Sequence, residues 1–128
     1  MLIRDLDNRS IEWKVVDNTR THARSSLHLE ARAILYSKYP TQQIFEEVSI
    51  PIRKRKTLFL DFYLPMLKLA VEPHGEQHYK KVSFYHATAA DFLKQKQNDR
   101  EKAEWCGLNG ITYIPLKFDE IDSWKEKI

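Results

Sequence analysis

Apolar positions along the chain recur with two different periods. Leu27, Ala31, Ile34 and Leu35 follow the three- and four-residue spacing of one helix face. With Ser25 or Ser26 as N-cap and Tyr39-Pro40 as the stop, they predict a helix over about 26–38. Strand patterns follow. Ile44, Val48, Ile50 and Ile52 mark a strand over 43–52, and two aliphatic and aromatic runs mark strands over 57–64 and 68–74. The short Pro65-Met66-Leu67 segment predicts an antiparallel hairpin between the last two. Pro51 and Pro65 lie near strand ends, where a missing N–H matters less. Residues 79–88 read as a loop, and a long helix over about 88–107 stops at Gly107 or Gly110. A short strand over 111–116 and a final helix over 119–127, carrying Ile121 and Trp124, complete the chain. Residues 11–16 read as a short strand or part of an N-terminal arm within residues 1–20. The order predicts one α/β domain over 1–128, with a mixed sheet of four or slightly more strands flanked by helices.

Composition narrows the class. At 42% hydrophobic and 30% charged residues, the chain fits neither a disordered nor a membrane-spanning protein. No apolar run approaches the ~20 residues needed to cross a bilayer. The N-terminus lacks a signal-peptide pattern. The single cysteine, Cys106, excludes an internal disulfide and a CxxC zinc site, and a cytoplasmic location is the expectation.

Two acids interrupt the apolar strands. Asp61 lies in Leu58-Phe59-Leu60-Asp61-Phe62-Tyr63-Leu64, and Glu72 follows Leu69-Ala70-Val71. A charge there is expensive unless something pairs with it. Strand alternation places Phe59, Asp61 and Tyr63 on one face and Leu58, Leu60 and Phe62 on the other. Ala70, Glu72 and His74 share a face of the next strand. Hairpin pairing sets Asp61 opposite or diagonal to Glu72, within about 5–8 Å. One hard divalent cation, Mg²⁺ or Mn²⁺, then bridges both. Without it, the two like charges repel and one pKa rises.

Other polar residues gather around this pair. His74 and His78 are in position to contact a phosphate, transfer a proton or ligate metal, whereas His22, His28 and His86 read as ordinary surface or core histidines. Glu30 borders the apolar stripe of the first helix, and Asp99 shares a face of the long helix with Phe92, Ala103 and Cys106. Each carboxylate needs a partner: Arg100, Lys96 or Lys102 for Asp99, or a common polar site at the sheet edge for both. Net charge is +3. The basic run Arg53-Lys54-Arg55-Lys56 and the pair Lys80-Lys81 flank the two acids, a distribution that favours phosphate contact. Tyr79, Phe84 and Tyr85 either pack or stack on exposed bases.

The segments Leu60-Asp61-Phe62-Tyr63-Leu64-Pro65 and Glu72-Pro73-His74-Gly75-Glu76-Gln77-His78-Tyr79 resemble the PD-(D/E)xK nuclease superfamily. More narrowly, they resemble its branch of very-short-patch-repair endonucleases and phage homing endonucleases with an EDxHD motif. Asn98-Asp99-Arg100 and the glycine-led segment at 110–116 fit the same branch. The resemblance implies a restriction-endonuclease-like fold and Mg²⁺-dependent hydrolysis of DNA phosphodiesters. It assigns Glu30, Asp61, His78 (or His74) and Asp99 to the motif letters and Glu72 to the second metal-binding acid. Glu46 or Glu47 is the alternative to Glu30. His74 stands where the superfamily carries a lysine, so His74, Gln77 or His78 must substitute for it. That departure motivates the alternative of an inactive DNA-binding or regulatory module. The resemblance further implies an origin in a phage or mobile element; with no recognition helix or extra DNA-binding domain evident in the sequence, a homodimer or a fused partner is expected to supply specificity.

Overall fold

The computed structural model describes residues 1–19, 25–82, 86 and 88–128. Two short strands, β1 (Leu2–Arg4) and β2 (Ser10–Glu12), form an antiparallel hairpin. Helix α1 (Ser26–Lys38) follows, with the Ser25 hydroxyl capping the N–H of His28. Strands β3 (Phe45–Arg53), β4 (Lys56–Leu64) and β5 (Leu69–His74) come next. Helix α2 (Ala89–Leu108) starts at a capping box between Thr88 and Asp91. Strand β6 (Thr112–Lys117) then leads through a short 3₁₀ turn to α3 (Trp124–Lys127). The main sheet has the order β3-β4-β5-β6. Its first two pairings are antiparallel, and β6 joins β5 in parallel after the α2 crossover. The result is a single mixed α/β domain with a four-stranded sheet.

Helices and hairpin cover the two faces separately. On one side Val48, Ile50, Ile52, Leu60, Tyr63 and Ala70 pack on Trp105 and Cys106 of α2, on Ile3 of the hairpin and on Trp13 just after it. On the other, Phe62, Leu64, Val71 and Leu116 pack on Ala31 and Leu35 of α1 and on Trp124 of α3. The expected strand 11–16 is shorter, and its partner β1 had no signal in the periodicity. Trp13 anchors this region: it is 4% exposed and its indole N–H donates to the Ser49 carbonyl at 2.9 Å.

The faces of β3 and β4 do not alternate as expected throughout. Leu58, Leu60 and Tyr63 all pack on the α2 side, while Phe62 faces α1. A face change therefore occurs between Leu60 and Phe62. In β3 the matching change falls between Glu46, which contacts α1, and Val48, which faces α2. Glu47 lies between them with φ = 52°, a left-handed conformation costly for a side chain with a Cβ. Its carbonyl accepts from the Asn18 side chain, and the Asp17 carboxylate accepts from the Glu46 N–H. The ladder pairs Glu46 with Phe62 and Val48 with Leu60 but leaves out Glu47 and Asp61. Both acids thus occupy the kink.

Candidate active site at the sheet kink

Pairing between β4 and β5 ends at Phe62 and Val71. One further step in the same register places Asp61 opposite Glu72, as the hairpin reading expected. Instead of a ladder bond, the Asp61 N–H donates to Glu72 Oε2 at 3.3 Å. Glu72 is buried, 1% exposed, and receives three further hydrogen bonds from two donor groups. Lys102 Nζ from α2 lies 2.9 and 3.2 Å from its two oxygens, and the Tyr113 hydroxyl on β6 donates at 2.6 Å. Burial alone would push this carboxyl up. The Lys102 ammonium and the hydrogen bonds outweigh it and bring the pKa down to about 2. The expected rise from two neighbouring acids therefore does not occur at Glu72, because a lysine from the helix supplies the opposing charge. Burial pulls the Lys102 ammonium down, but Glu72, Asp61 and Asp99 together raise it, so it stays protonated. Burial and Glu72 likewise raise Tyr113 and keep its phenol neutral.

Asp61 and Lys102 open into a groove of about 850 Å³ between the sheet and α2. Glu47, Phe59, His78 and Asp99 also line it, together with Gln95 and His86. Here the α2 face Gln95, Asp99, Lys102 runs above the kink. Below the groove, Trp105 and Cys106 of the same helix enter the core, where burial, with Glu72 nearby, raises the Cys106 thiol to about 12. That thiol is chemically inert at neutral pH.

The protons along two histidine chains follow from groups that can act in only one way. The Val82 N–H donates to His86 Nδ1 at 3.1 Å, so His86 carries its proton on Nε2 and donates to Gln95 Oε1 at 2.8 Å. The Gln95 amide nitrogen then donates to His78 Nε2 at 3.2 Å, leaving His78 Nδ1–H to donate to Asp99 at 2.8 Å. His78 is thereby fixed as the Nδ1–H tautomer, with its basic nitrogen turned to the groove. Tyr113 spends its proton on Glu72, so His74 Nε2 donates to the Tyr113 oxygen at 3.2 Å. His74 is a support for Tyr113 and Glu72.

One ligand atom each from His74, His78 and Asp99 lies within 4.8 Å of the others, close enough to hold a metal ion. The two imidazoles, however, stack with centroids 4.0 Å apart and planes 7° from parallel. An ion must lie near the plane of each ring it binds, so one ring has to turn before both can bind it. The hard-oxygen alternative is the kink itself. There Asp61 and Glu47 line the groove, and the Asp61 N–H bonds the buried Glu72 carboxylate; carboxylate oxygens are the ligand type that suits Mg²⁺ or Mn²⁺.

Several sequence expectations land elsewhere. Glu30 is exposed on α1 and does not line the groove. Glu46, the alternative, is fully buried on the far face, clamped by Arg32 at 2.8 and 2.9 Å and by His28 at 2.6 Å. Burial pushes its carboxyl up, and Arg32 and His28 hold it below its ordinary value. Of the three candidate outer acids, Glu47 lines the groove. Gln77 folds against Gly75 and does not line the groove. In the basic run, Arg53 bonds Asp7 at 2.8 Å and Glu101 at 3.1 Å, and Lys56 also bonds Glu101. Those two cations tie the β3–β4 hairpin to α2. Lys54 and Arg55 are exposed at the turn, as are Lys80 and Lys81, with Lys80 paired to Glu76. Asp99 meets His78, not one of the cations expected. His22, Phe84 and Tyr85 lie outside the described residues. As site residues, Lys102, Gln95 and His86 were missed: the sequence offered Lys102 only as a partner for Asp99 and His86 as an ordinary histidine, and did not single out Gln95. The i, i+3 and i, i+7 spacing of Asp99, Lys102 and Gln95 was the signal available for two of them.

Three viral proteins match parts of the sequence. Uncharacterized protein 094L of Frog virus 3 is 36% identical over 76 residues, covering 57% of this chain and 49% of that protein. Uncharacterized protein 307L of Invertebrate iridescent virus 6 is 38% identical over 61 residues, covering 48% and 31%. Uncharacterized protein 033L of Invertebrate iridescent virus 3 is 31% identical over 61 residues, with the same coverage. The matches thus span 31–49% of the length of these relatives. No family model and no solved structure matches the chain. Among the described residues no helix is long and apolar enough to cross a membrane.

Proposed function

We propose that this chain is a restriction-endonuclease-like, metal-dependent endonuclease acting on DNA. The observation that carries the reading is Asp61 beside Glu72 at the end of their pairing, on an open groove, with a protonated lysine from α2 in reach. Lys102 takes the role of the lysine that the strand lacks, since His74 stands at the motif position and serves Tyr113 instead.

Asp61, Glu47 and Glu72 would hold the cation, which when bound neutralises phosphate charge and acidifies water. His78 Nε2 accepts the proton of the attacking water as the Gln95 amide gives way, and Asp99 stabilises the imidazolium through Nδ1–H. Water oxygen bonds to phosphorus, the P–O3′ bond breaks, and the leaving 3′-oxygen takes a proton from solvent. Lys102 donates to the phosphate oxygens as their charge grows. Lys54, Arg55 and Lys81 contact flanking phosphates. The viral relatives are consistent with a viral origin; action in the host cytoplasm and specificity from a second copy or a fused partner belong to this proposal. Cleavage of plasmid DNA with and without Mg²⁺, by wild type and Asp61→Ala, tests the reading. Inertness on duplex, nicked, mismatched and branched DNA would sink it.

One observation favours a second reading, an inactive DNA-binding module. Lys102 already sits where a cation would approach Glu72. Calorimetric titration with Mn²⁺ separates the two: the nuclease binds the ion and loses binding in Asp61→Ala, whereas the inactive module gives no heat.

A further inference from the structure

Beyond the groove, on the other side of His78 and Asp99, lies a second cleft of about 360 Å³. His78 and Asp99 line both, so the two spaces share a wall. Tyr79 lines the second cleft and is 37% exposed. Lys96 Nζ lies 5.3 Å and Lys117 Nζ 5.1 Å from its ring centroid. Arg100, one helical turn after Lys96, lines the same cleft. Among the described residues neither Lys96 nor Arg100 has a carboxylate partner within ion-pair distance, and Lys117 is 3.8 Å from Asp119. Lys96 and Arg100, without such partners among the described residues, beside a partly exposed aromatic ring match the chemistry of a nucleotide in a strand: phosphate for the charges, a base face for the ring. A paired base has both faces covered by its neighbours in the stack. Only an unpaired base can enter a cleft and lie on Tyr79.

We propose that the Tyr79–Lys96–Arg100 cleft binds an unpaired nucleotide of the DNA strand that flanks the cut, so that the preferred substrate has a single-stranded tail or flap. The identity of the polymer rests on the nuclease reading; the binding itself does not. Lys96 and Arg100 hold the phosphate, and Tyr79 stacks on the base as the ammonium groups move from its face to the phosphate.

Fluorescence anisotropy with wild-type protein in EDTA tests this without cleavage. The probes are a blunt DNA duplex, the same duplex with a three-nucleotide DNA tail, and the duplex with an RNA tail of the same sequence. The DNA-tailed probe is expected to bind about tenfold tighter than the blunt one. Tyr79→Ala removes that preference and leaves blunt-duplex binding unchanged, while Tyr79→Phe keeps it and guards against a folding defect. Lys96→Gln with Arg100→Gln lowers the salt dependence of tailed binding. A tail preference that survives in Tyr79→Ala, or none in wild type, overturns the proposal, and tighter binding of the RNA tail overturns its assignment to DNA. Mg²⁺-dependent cleavage by wild type is scored separately. An inert protein that still prefers the DNA tail loses the nuclease reading and keeps this one.

Discussion

Glu72 is held ionised inside the protein by Lys102, Tyr113 and the Asp61 N–H, and this has a measurable consequence for pH stability. Its folded pKa of about 2 lies below its ordinary 4.5. A lowered carboxylate pKa stabilises the folded state at pH above the ordinary value, and the contribution fades as pH falls from 4.5 toward 2. The shift corresponds to about 3 kcal/mol. Urea unfolding of wild type from pH 7 to pH 2 is expected to show that loss, and Glu72→Gln to show a pH dependence flatter by about that amount. Lys102→Met leaves Glu72 buried without its charge partner, which costs roughly 3–5 kcal/mol. Glu72→Gln/Lys102→Met recovers most of it, a coupling that a double-mutant cycle reads directly.

The β3–β4 kink belongs to the scale of elements. Glu47 takes a strained conformation because Glu46, one residue earlier, is pinned to α1 by Arg32 and His28, and because Asp17 and Asn18 hold the backbone on either side. The kink is what turns Glu47 and Asp61 toward the groove while their neighbours fill two different cores. Strain kept at a cluster of acids is the pattern of a site in which function outweighs local stability. Glu47→Gly relieves the left-handed penalty, and its unfolding midpoint is expected at or above that of wild type, with cleavage reduced at least tenfold. Glu46→Ala, in contrast, strands Arg32 and His28 and lowers stability by roughly 3 kcal/mol. Neither effect was legible in the sequence. Glu46 falls in step with Ile44, Val48, Ile50 and Ile52, but alternation alone cannot announce a partner 14 or 18 residues away.

Across the whole molecule, long and strongly periodic elements were legible and compensated charges were not. Helix α1 begins at Ser26 as expected, the three consecutive strands lie within two residues of their predicted bounds, and β6 returns after α2. The Asp61–Glu72 register followed from hairpin geometry. Of the N-terminal hairpin only a strand near β2 was anticipated; β1 and their pairing were missed because each strand spans three residues, too short for a period to declare itself. The basic run looked uniform, yet Arg53 and Lys56 serve the fold and Lys54 and Arg55 face solvent. Arg53→Ala with Lys56→Ala is therefore expected to lower stability by about 3 kcal/mol, since Glu101 is left buried and unpaired. Lys54→Ala with Arg55→Ala leaves the unfolding midpoint unchanged and reduces the salt slope of DNA binding by about one per cation.

Lys102 and Asp61 meet the rest of the site from different elements, so the proposed cleavage requires the assembled domain. Cleavage should be followed on duplex, nicked, mismatched and branched DNA, with Mg²⁺ and with EDTA, for wild type, Asp61→Asn and Lys102→Met. Wild type is expected to cut at least one substrate only with Mg²⁺, and each variant that retains its fold by circular dichroism to cut it at least a hundredfold more slowly. Cleavage by wild type that persists in EDTA, cleavage by folded Asp61→Asn at the wild-type rate, or inertness of wild type on every substrate would contradict a metal-dependent site built on Asp61 and Glu72.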